Sequence, residues 1–414
     1  MLIGVCVNKV TVILNAIKEG DRKGECSMST HGLFPAEAPA GKLGTGHAGR
    51  LLSVDSFRGV TIIGMIIANT TWIFKSTYDC SCFSVFLHGE WHGVTFADMI
   101  FPFFVYIMGL SVVLSLSRGQ FDSGRRQFVF SKVIWRTIKL FLLGVAINAL
   151  MLMAGGKGPI SVMGVLQRIG LVYLACVLLY LFTRWRTQLA VGAFVLLSYW
   201  LAMAFIPVPS IGTGILEPGR NLAAWMDQII QPGALNAGTW DSEGLFSTIP
   251  AVATGITGML AGYLLISSLT TEQKVIWLFL GGFLTIVIGQ LWGLVFPLNK
   301  WLWTSSFVLF TSGWASVTLA SFTWLIRITA IRKWSRFSIS LGKKSLFCYV
   351  LHFFVLGFFM APLFGKKPLM ELSLSSLEKV LPSELVVLLF SLVIVAVCYG
   401  VVILLFRKTV RIEV

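Results

Sequence analysis

Apolar runs about 20 residues long, each enough to cross the hydrocarbon core of a bilayer as a helix, recur from residue 54 almost to the end of this chain. Backbone inside lipid must satisfy its own N–H and C=O groups, so such runs fold as α-helices and not as open sheets. Ten are read, at 54–74, 94–117, 134–153, 163–183, 188–206, 247–267, 275–295, 304–326, 341–361 and 384–406. They predict an all-α, polytopic membrane protein with about ten transmembrane helices. Charged residues are 12% of the 414 and hydrophobic ones 56%, whereas soluble domains carry about 25% charge. Too little charge is present to coat a water-facing surface.

The net charge of +15 reads as a topology signal rather than as a nucleic-acid footprint, because basic residues cluster in alternate loops. The clusters are 118–139, Arg184 with Arg186, Arg327 to Lys344, and Arg407 to Arg411. They assign 118–133, 184–187, 268–274, 327–340 and the tail from Arg407 to the cytoplasm, with both termini there. The outside loops are then 75–93, 154–162, 207–246, 296–303 and 362–383. Residues 1–49 lack a long apolar run and a signal-peptide pattern, and are expected to be a poorly ordered N-terminal extension of a membrane domain spanning 50–414. Met28 offers an alternative start that would make 1–27 an upstream extension. Cys80 and Cys82 read as unpaired thiols in the first outside loop.

Ionisable residues in or beside spans are costly and are candidate functional groups by default. Asp55 and Arg58 share a helix face at the start of the first span, either as a local ion pair or as a polar mouth. His88 and His92 flank Glu90 and precede Asp98, which lies inside the second span. Gly89 and Gly93 argue against a regular helix there, and the H-E-x-x-H zinc pattern is not present, so no metal is expected. A histidine at a membrane edge suits general base work. Asp241 and Glu243 sit where the longest outside loop enters the sixth span, either attracting a cationic substrate or starting a helix. Arg168 is expected to snorkel from the end of its span. Asn299, Lys300 and His352 complete the polar set, and a lone His352 is more often a core residue than a catalyst. Neither a phosphate-binding Walker loop nor a G-x-G-x-x-G turn occurs, which speaks against a nucleotide-driven pump.

Seven collinear segments resemble the lysosomal heparan-α-glucosaminide N-acetyltransferase family and its bacterial relatives, the NagX-like transmembrane acyltransferases. They are RLLSVDSFRG (50–59), IIANTTW around Asn69, HGEWHGVTFADMIFPFFVYIMGLS (88–111), GVLQRIGLVYL (164–174), DSEGLFSTIPAVATGITGMLAG (241–262), PLNKWLWTSSF (297–307) and GKKSLFCYVLHFFV (342–355). The resemblance implies transfer of an acetyl group from cytosolic acetyl-CoA to the amine of a glucosamine across the membrane. It implies His88 as the active-site histidine, with Trp91 and Asp98 in its motif and Asn69 orienting it or stabilising an oxyanion. A homodimer in a bacterial inner membrane is also implied. The loop between Asn69 and His88 is longer than in the lysosomal enzyme. On this reading Asp55, Arg58, Asp98 and Arg168 line a channel for the pantetheine arm, and Asp241 with Glu243 holds the amino sugar. An acetyl-histidine intermediate is the variant mechanism. An O-acyltransferase of a surface glycan, a small-solute transporter and a scaffold are the competing functions.

Overall fold

The computed structural model describes residues 51–79, 82–117, 123–155, 160–331, 333–362 and 367–410. The expected N-terminal extension 1–49, Cys80 and the basic tail from 411 lie outside them. The chain forms α1 (Leu52–Tyr78), α2 (Phe96–Leu116), α3 (Ser123–Met153), α4 (Val165–Phe182), α5 (Trp185–Phe205), α6 (Leu222–Ile230) and α7 (Thr248–Ile266). It continues with α8 (Thr271–Trp292), α9 (Ser305–Thr323), a π turn (Trp324–Ile328), α10 (Ser335–Lys343), α11 (Ser345–Met360), α12 (Leu369–Leu377) and α13 (Ser383–Val410). Among the described residues, nine helices are long and apolar enough to cross a membrane, or ten when the bent pair α10–α11 counts as one span.

That pair departs from the straight span expected at 341–361, because the two helices meet at 87°. Ser338 packs its carbonyl where a Cβ on Gly59 would sit, and Gly342 lies against the Asp55 carbonyl. The hydroxyls of Ser56 and Ser338 meet at 2.8 Å. A straight continuation of α11 would pull α10 off this glycine-lined face of α1. The segment 327–340, expected as a loop, is therefore half helical, and the loops at 207–246 and 362–383 hold α6 and α12.

Lipid is as apolar as leucine, so helices here associate through close packing of small residues. A Cβ on Gly109 of α2 would overlap the Gly255 carbonyl of α7, and one on Gly258 would overlap the Tyr106 carbonyl. Around this seam Ile62, Ile66, Phe101, Val105, Val172, Met259 and Phe307 form the main core. By contrast α8 exposes Phe279, Phe283, Leu284 and Leu291, the surface expected against acyl chains. The alternation of spans gathers the C-terminal end of α1 and the N-terminal ends of α2, α4, α7 and α9 at one end of the bundle.

Candidate active site

Helix α2 is capped by Thr95, and its third residue is Asp98. A carboxylate there is favoured by the unpaired N–H groups and the dipole of the helix start. One oxygen, Oδ2, accepts from the Thr95 N–H at 3.0 Å, the Thr95 hydroxyl at 3.1 Å and the Gly89 N–H at 3.0 Å. The other, Oδ1, lies 2.9 Å from His88 Nδ1. A buried carboxylate accepts from an N–H, so this contact assigns the proton to Nδ1 and leaves the lone pair on Nε2. Among the described residues Nε2 has no hydrogen-bond partner.

Indole rings surround the imidazole. His88 lies 5.5 Å from the Trp72 ring and 5.8 Å from the Trp301 ring, centroid to centroid. Trp301 Nε1–H donates to the Gly89 carbonyl at 3.1 Å, which pins the loop. Trp240 joins Trp301 edge-on at 5.6 Å and Trp91 at 5.1 Å, and Trp91 donates to the Leu216 carbonyl at 2.8 Å. Lys300, buried, stands 3.9 Å from Asp98 Oδ1 and 4.5 Å over the Trp301 ring. Burial pushes the His88 imidazole below its ordinary range, Lys300 adds to that, and Asp98 opposes it. Burial likewise lowers the Lys300 ammonium, against the pull of Asp98 and Glu243.

His92 turns away from His88, its Nδ1 lying 3.4 Å from the Asn299 amide, and Glu90 is exposed. The three do not converge as metal ligands would. Asn299 itself closes the 299–304 turn by accepting the Leu302 N–H at 2.8 Å. The Asn69 side chain was expected against His88; its amide instead meets His352 Nε2 at 3.1 Å, joining α1 to α11.

Arg168 does not snorkel. It is fully buried, and it donates to the Ser247 hydroxyl at 2.5 Å and the Gly244 carbonyl at 3.3 Å. Its guanidinium packs 4.8 Å from the Trp303 ring. Glu243, Asp241 and Asp227 act on its charge from the neighbouring loop without forming an ion pair with it among the described residues, and Nε and Nη1 are buried without a hydrogen-bond partner. Asp241, expected to receive an ammonium, has its oxygens taken by Ser161 at 3.0 Å, Gln231 at 2.8 Å, and the Asn236 and Glu243 N–H groups at 3.2 and 3.0 Å. It organises the loop. Asp227, which sequence reading passed over, accepts the Phe246 N–H at 2.8 Å, and burial raises its carboxyl to about 6.

Two cavities run between α3, α4 and α11. One, of about 240 Å³, is lined by Asn148, Ser161, Gln167, Glu243 and Tyr349 toward the His88 end. The other, of about 270 Å³, is lined by Arg58, Ser111, Arg136, Tyr173 and Tyr349 toward the opposite end. Val165, Leu166 and Tyr349 border both, so a thin partition separates them. Arg58 donates to Ser111 at 2.6 Å and lies 3.4 Å from Asp55; Arg136 stacks 4.6 Å over the Tyr173 ring.

Residues 50–277 match the family model described as heparan-alpha-glucosaminide N-acetyltransferase, catalytic. The chain is similar to the heparan-alpha-glucosaminide N-acetyltransferase of Mus musculus, with 26% identity over 368 residues, 74% of this chain and 53% of that protein. It is 27% identical to that of Homo sapiens over 367 residues, 73% of this chain and 52% of that one. The chain thus spans about half the length of the curated relatives it matches.

Proposed function

The chain belongs to the heparan-alpha-glucosaminide N-acetyltransferase catalytic family, whose model covers more than half of it, and from that premise we propose that it is a transmembrane N-acetyltransferase. It moves the acetyl group of acetyl-CoA to the amine of glucosamine or a related amino sugar at the opposite face. The observation that carries this reading is His88, anchored through Nδ1 by buried Asp98 with Nε2 left open.

Nε2 takes a proton from the ammonium of the acceptor, and the neutral amine attacks the thioester carbonyl. The C–N bond forms, the C–S bond breaks, and the CoA sulfur leaves with the bonding pair and takes up the proton held on His88, while the second proton of the nitrogen, shed as the amide forms, passes to water at the acceptor face. A neutral base is needed at this step, and burial with Lys300 keeps His88 in that form at pH 7. Trp72, Trp91, Trp240 and Trp301 offer aromatic faces to the apolar face of a pyranose, and Glu243 at the near cavity suits its hydroxyls.

The far cavity supports the donor half. Guanidinium groups such as Arg58 and Arg136 favour phosphates, and the narrow cavity beyond them fits a pantetheine arm. That end also carries Lys132, Lys139, Arg184, Arg186, Lys333 and Lys343, which supports a cytoplasmic orientation for it.

Purified protein in detergent, given radiolabelled acetyl-CoA and glucosamine, should yield labelled N-acetylglucosamine. His88→Ala should lower the rate about 10²–10⁴-fold, the range for general base catalysis. Full activity in that variant would refute the assignment. Product with hydroxyl acceptors alone would redirect the reading to O-acyl transfer, and sugar flux without acetyl-CoA to a transporter.

A further inference from the structure

At the basic end of the bundle, on the outer surface and away from both cavities, a groove of about 340 Å³ runs between α8 and the end of α9. Its walls are Val275, Ile276, Phe279 and Leu280 on one side and Trp324 on the other, and Ala320 and Ser321 form the floor. The groove exists because these two small residues face a row of bulky ones. Along α8 it runs from Val275 to Leu280, about 8 Å at about 1.5 Å per residue, which is roughly half the hydrocarbon depth of one leaflet.

Its mouth is cationic. Lys274 precedes wall residue Val275 and is held by donation to the Leu265 carbonyl at 2.9 Å. Arg327, exposed, follows wall residue Trp324 in the π turn and is close enough to Lys274 for the two charges to interact. Lys333 and Arg336 come next at the same end, both exposed. Among the described residues no carboxylate pairs with Arg327, Lys333 or Arg336; Glu272, on the first turn of α8, is the nearest acid in the chain to Lys274 and is fully exposed. Trp277, Trp324 and Trp334 are 44%, 48% and 40% exposed around this mouth, the position amphipathic indoles take at the level of lipid headgroups. A π turn also widens the helix locally and recurs at binding sites.

An apolar slot that opens at headgroup depth onto cations with no carboxylate partner among the described residues matches one chemistry. We propose that this groove binds an anionic diacyl phospholipid, with one acyl chain between α8 and α9 and its phosphate at Lys274 and Arg327. The site is independent of the acetyl-transfer reading, since it shares no residue with the cavities or with His88.

The test is native mass spectrometry of the whole chain, released from detergent micelles doped with equal phosphatidylglycerol and phosphatidylcholine. Wild type should retain phosphatidylglycerol at least fivefold over phosphatidylcholine. Lys274→Ala with Arg327→Ala should abolish that preference. Ser321→Leu, which fills the floor and leaves the charges, should lower retention of both lipids. Because Ser321 is exposed and, among the described residues, its hydroxyl bonds just the Val317 carbonyl of its own helix at 2.9 Å, this variant is expected to fold, and size-exclusion elution at the wild-type volume verifies that it does. Equal retention of the two lipids by wild type would overturn the proposal. So would an unchanged preference in the double variant. Displacement of phosphatidylglycerol by soluble glycerol phosphate at equal concentration would overturn the acyl part, reducing the site to a surface phosphate contact.

Discussion

Asp98 bonds with both of its oxygens, one holding the start of α2 and the other holding His88. Replacing it with Asn keeps the shape and reverses a hydrogen-bond role, because an amide nitrogen turned to His88 would favour the wrong tautomer. Asp98→Asn is therefore expected to lower kcat by two or more orders of magnitude with little change in acceptor KM, and steady-state kinetics on glucosamine reads this directly. The pH profile belongs to the same residues. Catalysis by neutral His88 rises as its proton leaves, so the acid limb should lie below the ordinary imidazole value of 6.5. Lys300→Met removes a cation that disfavours the imidazolium; His88 then holds its proton to higher pH, and the limb should move in the alkaline direction. A limb that stays put, or moves toward acid, would rule out Lys300 as a determinant. His88 and Asp98 were legible as members of one eleven-residue motif, but their contact was not, since Asp98 read as a channel-lining group of the second span. Lys300, Trp301 and Trp240 were not legible as its neighbours, because they arrive from loops more than 140 residues away. Nor was the pairing of Asn69 with His352, since the family pattern ties Asn69 to the histidine nearest in the chain.

Nine helices followed from apolar length alone, because the cost of unpaired backbone in lipid leaves no other solution. The break between α10 and α11 did not, since the apolar run read from 341 takes in the last residues of α10 together with α11, and nothing in that run marks the bend. What bends them is a tertiary contact: Gly342 against the Asp55 carbonyl and Gly59 against the Ser338 carbonyl. Neither glycine is marked by any local signal, as each is needed only for what lies opposite. Gly342→Val forces the two backbones apart and should destabilise the fold by about 1–3 kcal/mol or more, the range for overpacking. Tryptophan fluorescence during thermal unfolding in detergent would register this as a lowered Tm, and an unchanged Tm would show that the crossing is not tight. Arg168 failed to follow the snorkelling rule for a related reason. The rule weighs a charge against lipid, whereas this charge is enclosed by Ser247, Gly244 and the loop acids.

Across the whole molecule the two cavities divide the labour by charge, guanidinium at one mouth and carboxylate at the other. If, as proposed, the donor phosphates meet Arg58 before and after transfer alike, Arg58→Ala should raise the KM for acetyl-CoA about tenfold while sparing kcat, the signature of lost uniform binding. A fall in kcat alone would instead place Arg58 in the chemical step. The meeting of the cavities was not readable from the sequence, since Val165, Leu166 and Tyr349 are ordinary apolar and aromatic residues of their helices. The thinness of that partition has an electrical meaning. Where aqueous space enters from both faces, the membrane voltage falls mainly across what remains between, and a unit charge moved there exchanges about 2.3 kcal/mol per 100 mV. A proton handed from His88 to the departing sulfur accompanies the transfer and leaves turnover indifferent to voltage. A sulfur reprotonated from the arginine-lined face leaves one charge displaced, and turnover in proteoliposomes would then quicken or slow with the sign of the imposed potential.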